Sequence, residues 1–122
     1  FTFENSTLEE SGSNTVISDG KLKLLSSVSS GTWTSTPLIL PEDVSKVELR
    51  FKGNDDCDLI TFDVTADSNE TYKRVAAANN EGDPGNETTL TVSGKRLKVR
   101  VNLQSDSDNA FPEIQAMSIL VK

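Results

Sequence analysis

Apolar and polar residues alternate one by one along three segments of this sequence. The segments are KVELRFK (46–52), LITFDVTA (59–66) and RLKVRVNLQ (96–104). In the last of these, Val99 and Val101 belong to the apolar set, whereas Lys98 and Arg100 belong to the polar set. Successive side chains of a strand point to opposite faces, so this period of two predicts strands with one face buried and one in solvent.

The weaker alternations extend this pattern to about ten short strands. In TVISDGKLKLL (15–25) the pair Asp19-Gly20 predicts a hairpin, because this pair suits a two-residue turn. The predicted strands are 1–4, 15–18, 21–25, 32–40, 44–52, 58–66, 70–78, 88–93, 95–104 and 113–122. No segment has a convincing helical period, so the predicted fold is all-β: an antiparallel β-sandwich or jelly roll without a substantial helix.

The length of 122 residues fits a single domain spanning 1–122. The chain begins at Phe1 rather than at Met, and FTFE already has strand character. We therefore expect a module that belongs to a larger chain.

Composition narrows the classes of function. A net charge of -7 argues against a nucleic-acid partner, which calls for a basic surface. No apolar run approaches the roughly 20 residues of a membrane-spanning helix, so no membrane span is expected. The chain has no histidine, which removes the Ser-His and Cys-His nucleophile pairs and the commonest general base. We expect a protein that is not an enzyme.

If each strand runs opposite to the one before, alternate connections emerge at the same end of the sandwich. One end then receives the tight turns, and the other receives the longer polar connections NSTLEESGSN, SSVSSG, GNDDC, NNEGDPGNE and SDSDNAFP. The carboxylates predicted at this long-loop end, without a basic neighbour, are Glu9, Glu10, Asp55, Asp56, Glu81, Asp83, Glu87, Asp106 and Asp108. The strand 95–104 is therefore expected to stop at Ser105 because the chain reaches this acidic end.

Two of these loops carry the chemistry of a calcium site. Ca²⁺ takes six to eight oxygen ligands, and Asp55 with Asp56 in one loop and Asp106 with Asp108 in another supply carboxylates. Neither loop matches the EF-hand spacing. The alternatives are a structural Ca²⁺ held by these four residues and a solvated acidic rim.

Aromatic residues near the same rim give the candidate ligand contacts. Trp33 and Phe111 could stack on a sugar ring or anchor a protein partner, with Asn54 and Asn109 as polar contacts. The alternative, which we favour, is that Trp33 lies in the core and Phe111 plugs the end of the sandwich, because large aromatics are well buried on average. The outward basic residues are expected to pair across strands with Glu48 and Asp63, or to keep sheet edges from aggregating, rather than to bind an anionic polymer. These basic residues are Lys46, Arg50, Lys52, Lys98 and Arg100.

Three segments together resemble a known family. They are FTFEN…ISDGKLKL, GTWTSTPLILPEDVSKVELRFKG and LKVRVNLQSDSDNAFPEIQAMSILV, and they cover most of the chain. They resemble the galactose-binding-like, carbohydrate-binding-module type of jelly roll that occurs in phage tail and surface-adhesion proteins. The resemblance implies glycan binding through loops at one end or through an aromatic face, and it implies a structural Ca²⁺.

The sequence thus predicts a non-catalytic binding or adhesion module of an extracellular or virion-surface protein. Its acidic loop end is expected to engage a glycan or a protein partner. The alternative is a structural spacer, tail or capsid-decoration domain that contacts other subunits of its own assembly.

Overall fold

The structure is a computed structural model that describes residues 9–26, 28–54, 56–57, 59–79, 87–105 and 111–122. These residues form ten strands and no helix, which confirms the predicted all-β class. The strands are β1 (Glu9–Ser13), β2 (Thr15–Ser18), β3 (Lys21–Leu24), β4 (Ser30–Ser35), β5 (Leu38–Gly53), β6 (Thr61–Thr65), β7 (Lys73–Val75), β8 (Ala77–Asn79), β9 (Thr88–Gln104) and β10 (Glu113–Val121). Within the described ranges no helix is long and apolar enough to cross a membrane.

The strands form two layers. The first layer has the order β1-β4-β9-β6-β7, and every neighbouring pair in it is antiparallel. The second has the order β2-β3-β10-β5, with β8 and the first half of β9 also pairing β5. The pair formed by β5 and β8 is parallel, a departure from the predicted antiparallel pattern.

A two-stranded ribbon made of β5 and β9 connects the layers. Leu38 pairs with Leu97 and Val47 pairs with Thr88, in the same register on both sides of an irregular stretch around Val44. Beyond Leu97, β9 pairs with β4 and β6 in the first layer. The ribbon therefore passes from one layer to the other with the same register before and after this irregular stretch.

One hydrophobic core lies between the layers. The inward side chains of β9 are those that the alternation predicts, including the fully buried Val99 and Val101. From the facing layer, Leu49 and Ile114 are equally buried. A single core shared by both layers identifies the architecture as a sandwich.

The sequence pattern missed β1 and divided two long strands. The strand β1 has the sequence EESGS, with no apolar alternation, and among the described strands it pairs with β4 alone. The predicted breaks at Pro41–Asp43 and at Ser93-Gly94 lie inside β5 and β9, because the ribbon bends there while its ladder continues on both sides. The predicted strand 1–4 lies outside the described residues.

The missed strand also moves acidic residues away from the predicted acidic end. In β1, Glu9 lies opposite Ser35, the last residue of β4, and Glu10 forms an ion pair with Lys98. Glu87 lies between Lys46 and Lys122, with nitrogen–oxygen distances of 3.6 and 2.7 Å. The prediction that Glu10 and Glu87 lack a basic neighbour is therefore wrong, because each pairs with lysine. The prediction that Glu9 lies at the long-loop end is also wrong, because Ser35 is at the other end of β4.

Candidate functional site

The side chain of Asn54 joins two loops at one end of the sandwich. It follows the last residue of β5, and its amide nitrogen donates a hydrogen bond of 2.8 Å to the carbonyl oxygen of Phe111. Its amide oxygen accepts from the backbone N–H groups of Asp56 and Glu113, at 3.3 and 3.2 Å. The predicted loop candidate Asn54 therefore fixes the start of β10 against the end of β5.

Phe111 presents its ring from this junction. Its N–H donates to a carboxylate oxygen of Asp56 at 3.1 Å, so hydrogen bonds hold the residue through both its N–H and its carbonyl group. Phe111 is nevertheless 61% exposed, so the favoured prediction that it plugs the end of the sandwich is wrong. The structure thus places an aromatic ring in solvent on a backbone that is fixed by neighbouring side chains.

An open hollow of about 420 Å³ lies beside this ring. Its apolar wall consists of Leu24, Leu25 and Pro112, and Leu25 is itself 44% exposed. Its polar wall contains Lys23 and Glu113, with Ser26 nearby. The Glu113 carboxylate pairs with Lys21 at 3.3 Å and with Lys23 at 3.7 Å. We call this hollow, together with the ring of Phe111, the Phe111 groove.

Trp33 takes no part in the groove. It lies opposite Val101 in the pairing of β4 with β9 and is fully buried, which confirms the prediction that it is a core residue. The other expectation, a ligand-binding rim of Trp33 and Phe111, is wrong for Trp33. The strand places its ring on the inner face, where the core surrounds it.

The candidate calcium ligands are only partly described. Asp55, Asp106, Asp108 and the ligand candidate Asn109 lie outside the described residues. One oxygen of Asp56 accepts the Phe111 N–H, and the Asn54 amide oxygen accepts protein donors. The described ranges contain no group of three or more His, Cys, Asp or Glu side chains that could hold a metal. Calcium binding stays a prediction.

A buried carboxylate organises the outer face of the first layer. Asp63 accepts hydrogen bonds from Arg74 at 2.6 Å, from Arg100 at 3.1 and 3.2 Å, and from Asn102 at 3.0 Å. Burial raises the pKa of Asp63, but these hydrogen bonds outweigh it, so the pKa lies below its ordinary value. Arg100 pairs with Asp63 across two strands, as predicted for the outward basic residues, whereas Arg50 pairs with Glu48 within its own strand rather than across strands.

Lys98 corrects another expectation. It was predicted to face solvent, yet its side chain is 2% exposed, and it pairs with Glu10 from β1 and with Glu70 at 2.6 Å. Burial lowers the pKa of Lys98, but the hydrogen bonds to the two carboxylates outweigh it and raise the pKa. The alternation alone could not reveal this burial, because Glu10 and Glu70 reach Lys98 from segments outside its own strand.

A second hollow, of about 220 Å³, lies on the same outer face at the loop end of the layer. Its lining includes Thr32, Thr61, Asn102 and Gln104, together with the turn residue Asn14. The ten described residues that line it are uncharged. We call it the Asn102 hollow. Sequence reasoning did not find it, because its residues come from several separate segments of the chain.

No protein-family model matches this sequence, and no match was found among curated proteins. Among solved structures, the chain is similar to a low-affinity xylan-binding module, CBM86, from the xylanolytic gut symbiont Roseburia intestinalis. The similarity covers 100% of this chain and 93% of that one, with a TM-score of 0.48 and 16% sequence identity.

Proposed function

We propose that this chain is a non-catalytic glycan-binding module that holds its ligand in the Phe111 groove. The observation that carries the proposal is the ring of Phe111, which is 61% exposed although its backbone is hydrogen-bonded on both sides. An aromatic ring fixed in solvent stabilises the fold little, but it offers a rigid surface to a ligand.

The groove has the mixed chemistry that a sugar requires. A pyranose ring presents a C–H face, which can lie against the aromatic ring and against Leu25, and hydroxyl groups around its edge. Lys23 supplies donors, Glu113 supplies acceptors, and the Ser26 hydroxyl supplies both. A concave surface with apolar walls and a few convergent polar groups is typical of a ligand site.

Two features favour binding without catalysis. A glycosidase needs a carboxylic acid whose pKa is raised, so that it can protonate the leaving group. Among the described residues, the carboxylates with a resolved shift all have a lowered pKa: Asp63, Asp67, Glu70 and Glu87. The chain also lacks histidine. As a glycan-binding module it would act outside the cell, where its ligands are found.

The test is a glycan array followed by calorimetry on the array's best ligand, using the intact chain and Phe111→Ala. We expect the variant to lose at least tenfold in affinity while its melting temperature stays unchanged, because the ring is exposed. Leu120→Ala is the matched control, because it also removes an exposed apolar side chain, 56% exposed, at the far end of β10.

The control should bind as the unchanged protein does. Equal affinity of Phe111→Ala and the unchanged chain would remove the groove from the binding site. An array without any bound glycan would contradict the proposed function itself and would favour the structural-module alternative.

A further inference from the structure

The Asn102 hollow is built on one transverse row of the first layer. Ser13 pairs with Thr32, Thr32 pairs with Asn102, and Asn102 pairs with Thr61. The row therefore crosses four neighbouring strands, β1, β4, β9 and β6. Neighbouring strands lie about 4.8 Å apart, so four strands span about 14 Å, which is longer than one sugar ring.

Hydrogen bonds orient the central amide of this row. The Asn102 amide nitrogen donates to the Thr61 hydroxyl at 3.2 Å and to the Asp63 carboxylate at 3.0 Å. Asp63 is in turn held by Arg74 and Arg100. Both amide hydrogens are thus used, and the amide oxygen of Asn102 has no hydrogen-bond partner among the described residues. The Thr61 hydroxyl accepts from Asn102 and keeps its own proton available to donate.

The lining is suited to a ligand without charge. Hydroxyl and amide side chains both donate and accept, as sugar hydroxyls do. Asp63, which holds the Asn102 amide, is 4% exposed and paired with Arg74 and Arg100, and the described residues that line the hollow are themselves uncharged. Leu59, which is 40% exposed, adds an apolar contact for a C–H face.

From this row we infer that the Asn102 hollow is a second sugar-binding site, which takes a neutral glycan and rejects a charged one. This inference depends on the proposed function in one respect only, namely that the ligand is a glycan. Among the described residues, none lines both the Asn102 hollow and the Phe111 groove. The two sites are joined by one backbone hydrogen bond. The N–H of Leu25, in the Phe111 groove, donates to the carbonyl oxygen of Asn14, in the Asn102 hollow, at 2.9 Å.

The experiment is a nuclear magnetic resonance titration of the intact isotope-labelled chain. The probes are neutral hexasaccharides of gluco, galacto, manno and xylo configuration and a hexasaccharide of uronic acids. We expect a neutral probe to give saturable shifts at Thr32, Thr61 and the Asn102 side-chain amide, and the shifts to persist in Phe111→Ala. The acidic probe should produce no saturable shift at these residues.

Two variants measure the contribution of the hollow. Asn102→Ala should weaken the neutral probe at this site at least tenfold, and Gln104→Ala, which removes an exposed side chain and leaves the fold intact, about threefold. Ser118→Ala, an exposed hydroxyl on β10 in the other layer, is the matched control and should have no effect.

The two sites can fail separately. Saturable shifts confined to Phe111 and its neighbours would overturn the second site and leave the proposed function standing. Shifts confined to the Asn102 hollow would support the second site and overturn the Phe111 groove. A preference for the acidic probe at Asn102, or the absence of saturable shifts with every neutral probe, would also overturn the second site.

Discussion

Two large aromatic residues show how much the fate of one side chain depends on its position. Trp33 and Phe111 were both candidates for a rim that binds a ligand, yet the first is fully buried and the second is 61% exposed. Trp33 belongs to β4, which pairs with the alternating strand β9. Because Trp33 lies opposite the inward residue Val101, its side chain also points to the core. Phe111 lies in a loop, where no alternation fixes a face, and hydrogen bonds with Asn54 and Asp56 hold it outward.

This difference in burial predicts that substitution of Trp33 destabilises the fold far more than substitution of Phe111. Trp33→Ala should lower the free energy of unfolding by about 3–5 kcal/mol, because it leaves a large cavity in the core. Chemical denaturation monitored by circular dichroism measures the loss, with Phe111→Ala as the exposed aromatic control. Trp33 should also emit at short wavelength in the folded protein. A Trp33→Ala variant as stable as Phe111→Ala would show that the ring is not in the core.

Asp63 predicts a dependence on pH. Its pKa is lowered from 3.8, so its contribution to stability is complete above 3.8 and is lost as the pH falls through the lower pKa of the folded state. Asp63→Asn should cost about 2 kcal/mol at pH 7, through the loss of hydrogen bonds between charged groups. At pH values below 3.8 the difference should shrink, because a protonated Asp63 resembles Asn.

Denaturant melts at several pH values check this expectation. The control is Asp19→Asn, which alters a carboxylate that is 85% exposed and 3.9 Å from Lys23. An exposed pair of this kind contributes about 0.5 kcal/mol or less. A difference between Asp63→Asn and the unchanged chain that stays constant with pH would mean that Asp63 is not ionised in the folded protein.

Among the strands, those with a buried face follow the sequence closely. The hairpin of β2 and β3 has its turn at Asp19-Gly20, where both residues adopt positive φ, as predicted. The edge strand β1 escaped prediction because its residues are polar and exposed, and only backbone pairing to β4 defines it. The unbroken ribbon of β5 and β9 escaped for another reason: Pro41 and Gly94 are typical of turns, and local sequence cannot show that a partner strand bends alongside.

At the bend of the ribbon, Gly94 should not tolerate a larger side chain. A Cβ atom added at Gly94 would lie 2.1 Å from the carbonyl oxygen of Ala66, which also accepts the Arg96 N–H at 3.0 Å. Because Ala66 directly follows β6 and its carbonyl oxygen is held by the Arg96 N–H, that backbone cannot easily move, and Gly94→Ala should destabilise by about 2–3 kcal/mol.

Gly12→Ala in β1 is the matched control in the same measurement. Its nearest contacts, at 2.9 Å, are side-chain oxygens of Glu9 and Thr15 rather than backbone atoms, so about 0.5 kcal/mol is expected. If Gly94→Ala and Gly12→Ala unfolded at the same denaturant concentration, the close approach of Ala66 to the bend would be refuted.

Across the whole molecule, the sequence located the loop end better than it located the charges there. Strand order placed the loop of Asn54 beside that of Phe111, and their hydrogen bonds show this contact. It could not place Glu10 or Glu87, whose lysine partners lie far away in sequence. The Asn102 hollow was equally inaccessible, because it depends on the register of four strands rather than on any one of them.

The calcium prediction concerns the stability of the entire domain. A ligand that binds only the folded state stabilises it, by about 2.7 kcal/mol at a hundredfold excess over Kd. Millimolar CaCl₂ should therefore raise the melting temperature more than NaCl of the same ionic strength. The double substitution Asp106→Asn with Asp108→Asn should abolish the difference. Equal effects of the two salts on the unchanged chain would show that these carboxylates form a solvated rim.

The ribbon shared by the two layers has a consequence for cooperativity. Because β9 pairs with β5 in one layer and with β4 and β6 in the other, neither layer can melt without breaking the strand on which the other depends. The domain should unfold as a single unit, without an intermediate that keeps one layer intact. Native-state hydrogen exchange should accordingly give the slowest amides of Val99 in one layer and Leu49 in the other the same opening free energy.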